Sequence, residues 1–160
     1  MGRVAGSAME SVTLRTAQAS DVDGIRDLVS ALAHERGSIT DAAAVGAAVE
    51  ECIGQPGREI IVASTGGEVV AYAAVHWVPF PMLGGREGYV SDLIVRADQR
   101  GQGLGNRLMD AVEARAREMG CARLMLNNRV AAESFERGFF VKAGFRQRTD
   151  FANFVKPLEA

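Results

Sequence analysis

Three glycines at alternate positions, Gly101, Gly103 and Gly105, stand behind a basic residue in the run Arg100-Gly101-Gln102-Gly103-Leu104-Gly105-Asn106. Glycine lets a backbone come close to a ligand and adopt left-handed conformations, so that successive N–H groups aim at one point. The run follows a β-rich segment, residues 89–95, after a short polar turn. It opens a segment in which Leu104, Leu108, Ala111, Val112 and Met119 share one helical face. A junction of strand, glycine loop and helix offers unpaired amide donors and the positive end of the helix dipole. The expected guest is an anion.

Spacing narrows the choice of anion. A Walker loop ends in Gly-Lys-Ser/Thr, whereas Asn106-Arg107 follows Gly105, and a dinucleotide fingerprint G-x-G-x-x-G needs a glycine where Asn106 stands. The G-x-G-x-G spacing of S-adenosylmethionine-dependent methyltransferases is a competitor. Against it, residues 96–100 separate the glycines from the strand and no alternating series of strands and helices surrounds them. A purely structural role for the glycines leaves Arg100 unexplained. For acid–base work the chain offers His76, Asp92 and Glu87 near this junction. Each has a plainer reading: His76 packed beside Trp77, Asp92 orienting a backbone group or paired with an arginine, Glu87 solvated in a loop.

The elements that position these residues follow from pattern. Residues 12–17 read as an edge strand. Ser20 is placed to cap a helix with Val22, Ile25, Leu28, Val29 and Leu32 on its apolar stripe as far as about His34, and Gly37 ends it. An alanine-rich second helix spans residues 40–53. Two β-rich runs, 59–64 and 69–78, flank Thr65-Gly66-Gly67-Glu68, a hairpin signal. Residues 79–88, with two prolines and three glycines, read as a loop. After the glycine loop come a helix stopped by Gly120, a strand at 122–127, a helix at 131–143, and two closing strands at 145–149 and 151–156. A strand-helix-strand unit over residues 89–127 demands a parallel pair with a right-handed crossover.

Composition bounds the rest. At 160 residues with 48% apolar and 24% charged positions, one domain over residues 12–160 is expected, after a disordered leader at residues 1–11. A net charge of −2 argues against sequence-independent binding to nucleic acid, and no apolar run reaches the roughly 20 residues a membrane span needs. Cys52 and Cys121 are too few and too isolated for a disulfide framework or a metal site, so no metal and a cytoplasmic location are expected.

At Arg100-Gly101-Gln102-Gly103-Leu104-Gly105 the chain resembles the R/Q-x-x-G-x-G/A motif of the GNAT superfamily of acetyl-CoA-dependent N-acetyltransferases. The likeness extends to Phe139-Phe140-Val141-Lys142-Ala143-Gly144-Phe145, similar to the family's later F-Y-x-K-x-G-F segment, and covers nearly all of residues 12–158. The resemblance implies a mixed, mostly antiparallel α/β sheet of six or seven strands, with a central parallel pair and helices on both faces. It implies acetyl-CoA as cosubstrate, its pyrophosphate held by the backbone donors around Gln102, Gly103, Leu104 and Gly105 with the helix N-terminus and the charge of Arg100, and it counts Gly101, Asn106, Asn128 and Phe140 among the cofactor-binding residues. The pantetheine arm would run along Leu93, Ile94 and Val95, and a backbone N–H at or near Val95 would face the thioester oxygen. A primary amine of a small molecule is the expected acceptor, with Asp92 and His76 as catalytic candidates. A catalytically weak or inactive acyl-CoA-binding module is the alternative, and dimers are frequent in the family. Two departures stand out. Phe140 occupies the position of the family's frequent general-acid tyrosine. Glu133-Ser134-Phe135-Glu136 replaces N-x-x-A, and Asn127 and Asn128 are the available substitutes. Acid assistance typically contributes ~10²–10⁴-fold, so its loss leaves catalysis possible.

Overall fold

Residues 11–158 are described in the computed structural model, and the chain divides after Asn127 into two compact units. In the first unit five strands form one sheet in sequence order: β1 (Thr13–Thr16), β2 (Arg58–Thr65), β3 (Glu68–Phe80), β4 (Gly85–Val95) and β5 (Cys121–Leu126). The first three pairings are antiparallel, while β4 and β5 run parallel. Parallel neighbours need a crossover, and the helix α3 (Leu104–Glu118) supplies it. Two further helices, α1 (Val22–Glu35) and α2 (Ala42–Cys52), lie between β1 and β2 in the chain.

Period-two alternation sorts the strand residues onto two covered faces. Ile60, Val62, Tyr72, Ala74 and Ile94 form one core cluster with Ile25, Leu28 and Val49 of α1 and α2. Residues of the other parity, Ile61, Ala63, Ala71, Ala73 and Val75, are also buried and face α3, whose Arg115 reaches Glu59 of β2 at 2.8 Å. Burial on both faces explains the unbroken apolar runs of β2 and β3. Leu108 and Val112 of α3 are fully enclosed. Removing such an aliphatic side chain from water is worth roughly 1.5–3 kcal/mol.

Several sequence expectations are corrected. Ser20 does not cap α1: Asp21 closes a capping box with Gln18 and also binds Arg15 through two contacts of 2.6 and 2.8 Å. Much of the loop expected at 79–88 is strand. β3 continues to Phe80, Gly84 turns the chain at φ 63°, and Phe80 pairs with Gly85. Beyond His76 β3 has no β2 partner, so Pro79 sits where one side of the strand is open and its missing donor is tolerated.

In the second unit the helix expected at 131–143 is two single turns, α4 (Glu133–Glu136) and α5 (Phe139–Lys142), because Gly138 between them takes a left-handed φ of 64°. The closing strands expected at 145–149 and 151–156 do not form, so five strands replace the six or seven expected. Their apolar residues had the β pattern but lack a ladder partner, and Phe154 and Val155 are exposed. The leader expected at residues 1–11 lies, but for Ser11, outside the described residues. No helix among the described residues is long and apolar enough to cross a membrane.

Candidate active site

One extra residue in β4 organises the site. Ala74 of β3 pairs with Asp92, and the next residue, Val75, pairs with Val90, so Ser91 is a β-bulge with no partner of its own. A regular strand would place Val90, Asp92 and Ile94 on one face and Tyr89, Ser91, Leu93 and Val95 on the other. The bulge overturns that alternation. Tyr89, opposite His76, shares the α1/α2 face with Asp92 and Ile94, while Val90, Leu93 and Val95 share the α3 face. Asp92 thereby comes onto the same face as His76 and Tyr89.

The polar groups on this face are joined. His76 Nε2 lies 3.2 Å from Ser91 Oγ, and Ser91 Oγ donates to Asp92 Oδ2 at 3.1 Å. With the serine hydroxyl donating its single proton to the carboxylate, Nε2 is the donor to the serine oxygen, and in the neutral imidazole Nδ1 carries the lone pair. The Tyr89 ring stands 6.3 Å from the imidazole, and its hydroxyl accepts from Asn127 Nδ2 at 3.3 Å. Sequence reasoning missed Ser91 because its importance lies in the bulge, and a single strand's sequence carries no mark of where the ladder slips.

Two further groups border this cluster. Tyr72, 3% exposed, has its phenol pushed far above the ordinary range, by burial first and then by the negative charge of Asp92. It is therefore a poor proton donor to a leaving group. Glu87, expected in a solvated loop, is instead buried in β4 and paired with Arg123, whose guanidinium also lies over the Phe80 ring. A carboxylate so engaged is not a free base.

The donor side follows from where pairing stops. β5 pairs with β4 only from Arg86 to Val90, so, among the described residues, positions 91–95 of β4 have no ladder partner on that side. Arg96 N–H donates to Val70 on β3 at 2.9 Å, and strand alternation then turns the backbone groups of Leu93 and Val95 towards the open side. Ile94 is different: its side chain is buried in the α1/α2 core and its backbone faces β3. The open edge leads into the glycine loop. Gly101 and Gly103 have φ of 76° and 80°, a region that costs other residues strain, and Gly103 is the N-cap of α3. Arg107 N–H is the first to bond within the helix, to Gly103 O at 3.1 Å. Among the described residues, the N–H groups of Gly101, Gln102, Gly103, Leu104, Gly105 and Asn106 have no backbone acceptor. That is a nest of donors at a helix N-terminus, built to take an anion. A diphosphate followed by an extended amide-bearing chain matches it: donors for the phosphates, then a bare strand edge for the amides.

Arg100 is placed differently from the expectation. Its Nε donates to Val95 O at 3.0 Å, and its Nη2 donates to both oxygens of Glu35 at 2.9 and 3.1 Å. Asn128 and Phe140 belong to the second unit. There Asn128 Oδ1 accepts from Ser134 Oγ at 3.2 Å, and Phe140 packs edge-on between Phe139 and Phe145, with ring centroids 4.9 and 5.9 Å away.

The chain is similar to an amino-acid acetyltransferase of Pseudomonas putida, 30% identical over 127 residues that make up 79% of this chain and 27% of the relative. It is also similar to glucosamine 6-phosphate N-acetyltransferase 1 of Oryza sativa subsp. japonica, 34% identical over 86 residues, 54% of this chain and 50% of the relative. It thus spans between a quarter and a half of the length of these curated relatives. The crystal structure of glucosamine-6-phosphate N-acetyltransferase from Arabidopsis thaliana shares the fold, with a TM-score of 0.75 at 21% identity over 94% of this chain and 100% of that one. The sequence model of the acetyltransferase (GNAT) family matches residues 25–145. With that match spanning most of the sheet, the crossover helix and the glycine loop, the chain belongs to the GNAT family of acetyltransferases.

Proposed function

We infer that this protein transfers the acetyl group of acetyl-CoA to the primary amine of a small molecule by direct attack on the thioester. The observation that carries the reading is the continuity of the unpaired β4 edge with a loop of amide donors that lack acceptors. Names of relatives support the acceptor class, since an amino acid and glucosamine 6-phosphate are both small amines. The S-adenosylmethionine alternative has no support.

Acetyl-CoA supplies the activated acyl group and a thiolate that leaves readily. The residues then divide the remaining work. The donors from Gly101 to Asn106 hold the pyrophosphate, and the backbone of Leu93 and Val95 pairs with the pantetheine amides as an added strand would. One of their N–H groups receives the negative charge that develops on the thioester oxygen, an interaction whose loss elsewhere costs about 10²–10³-fold in rate. Asp92 attracts the ammonium form of the acceptor. His76 Nδ1 takes its proton, and the imidazolium so formed is held through Ser91 by the Asp92 carboxylate. A free alkylamine has a pKa near 10.4, so a group that removes this proton is required at neutral pH.

The test is release of free thiol from acetyl-CoA across a panel of small amines. Turnover with at least one of them is expected, and His76→Gln should lower kcat by about 10²–10⁴-fold while leaving acetyl-CoA affinity unchanged. An unchanged kcat for that variant removes His76 from the mechanism. Phe140, which has no proton to give, favours a second reading as a module that binds acetyl-CoA without transfer. Calorimetric binding with no turnover on any amine would select it.

A further inference from the structure

The positive charge that opens the phosphate loop is already occupied. Arg100 binds both carboxylate oxygens of Glu35 at 2.9 and 3.1 Å, and its Nε caps Val95 O, the last open acceptor of the β4 edge. Glu35 is the last residue of α1, where a carboxylate faces the negative end of the helix dipole and is disfavoured. Helix stability does not account for a glutamate there, so its partner on the phosphate loop is the more telling feature. The pair is also more than a third open to solvent, with side-chain exposures of 37% and 38%. An exposed pair contributes little to stability, so it can exchange, whereas a guanidinium bonded to phosphate oxygens gains more.

We propose that Glu35 competes with the donor's pyrophosphate for Arg100, and so sets the affinity of the site for phosphate-bearing acyl donors. The proposal rests on the reading of the glycine loop as the acetyl-CoA site. In the free protein Arg100 bridges the end of α1, the end of β4 and the loop. When a diphosphate occupies the loop, its charge draws the guanidinium away from Glu35. Glu35 touches no reacting atom; it governs how much of the Arg100 charge the donor can use.

The experiment compares two acetyl donors, acetyl-CoA and S-acetylpantetheine, which lacks the pyrophosphate. Glu35→Gln should tighten acetyl-CoA binding by roughly 3- to 10-fold by calorimetry and lower its KM in step, with kcat unmoved. S-Acetylpantetheine should show no change. Glu35→Ala should behave the same way, and in an Arg100→Gln background the Glu35 substitution should lose its effect. Weaker acetyl-CoA binding in both Glu35 variants, or an equal shift for both donors, would overturn the proposal and make Glu35 a brace for the loop. Absence of acetyl-CoA binding by the wild-type protein would instead refute the reading of the loop itself, and this proposal with it.

Discussion

Gly88 offers a sharp test of the register on which the site depends. It lies in β4, opposite Trp77 of β3 and Leu124 of β5, three residues before the bulge. A Cβ at this position would stand 2.6 Å from a δ-carbon of Leu124, and 2.9 and 3.3 Å from two carbons of the Trp77 ring. Carbon atoms prefer about 3.5–4.0 Å, so the added methyl must displace both neighbours by several tenths of an ångström. The leucine can rotate. The indole, 4% exposed and enclosed by the sheet, cannot yield without moving backbone. Overpacking of this kind costs about 1–3 kcal/mol, which for a domain of this size corresponds to a fall in Tm of roughly 2–12 °C. The control is Gly85→Ala in the same strand, where the nearest atom, the Ala122 Cβ, is at 3.9 Å, in ordinary contact. Urea denaturation of the two variants should give a clear loss for Gly88→Ala and a change within about 0.5 kcal/mol for Gly85→Ala. Equal stability of the two would refute the β3–β4–β5 register, and with it the placement of Ser91 as the bulge.

Two further outcomes concern the loop and the fold. Gly103→Asp should reduce acetyl-CoA affinity by at least about 10²-fold, because a carboxylate would stand where the anion is held, whereas Gly103→Asn, which tolerates the left-handed φ equally well, should lose much less; equal losses by calorimetry would show that strain rather than charge decides. Asp21→Asn should cost roughly 1–2 kcal/mol at pH 7 by breaking the contacts with Arg15. The hydrogen bond from Arg15 holds the Asp21 carboxyl below its ordinary value, so this contribution is complete above about pH 4 and fades as pH falls through the lower folded value; a difference between the two proteins that persists undiminished at pH 2 would contradict it.

Much of the framework around the glycine loop was legible because its physics is local. A glycine's freedom, a helix start and an apolar period are written in consecutive residues, and so Arg100 to Asn106, α3 and the hairpin of β2 and β3 could be placed from sequence. What was illegible depended on partners. Glu87 looked like a loop residue until its pairing with Val78 and Arg123 made it part of a strand. The pairing of Arg100 with Glu35 was equally hidden, since nothing in the sequence links the two residues, 65 positions apart. The runs at 145–149 and 151–156 have strand-like alternation yet form no ladder, since alternation states a capacity and pairing requires a neighbour.

The bulge at Ser91 connects the two halves of the site, and its consequences can be followed in order. The ladder between β4 and β5 ends at Val90, immediately before it, so among the described residues the edge that follows has no ladder partner. The extra residue reverses the parity of everything beyond it, which brings Asp92 to the His76 face and sends Leu93 and Val95 to the α3 face. The same residue supplies the hydroxyl that joins imidazole to carboxylate. Had the strand been regular, Tyr89 and Asp92, three residues apart, would lie on opposite faces of the sheet. One inserted position therefore exposes the backbone that would bind the donor, and gathers the side chains that would deprotonate the acceptor, within two residues of each other.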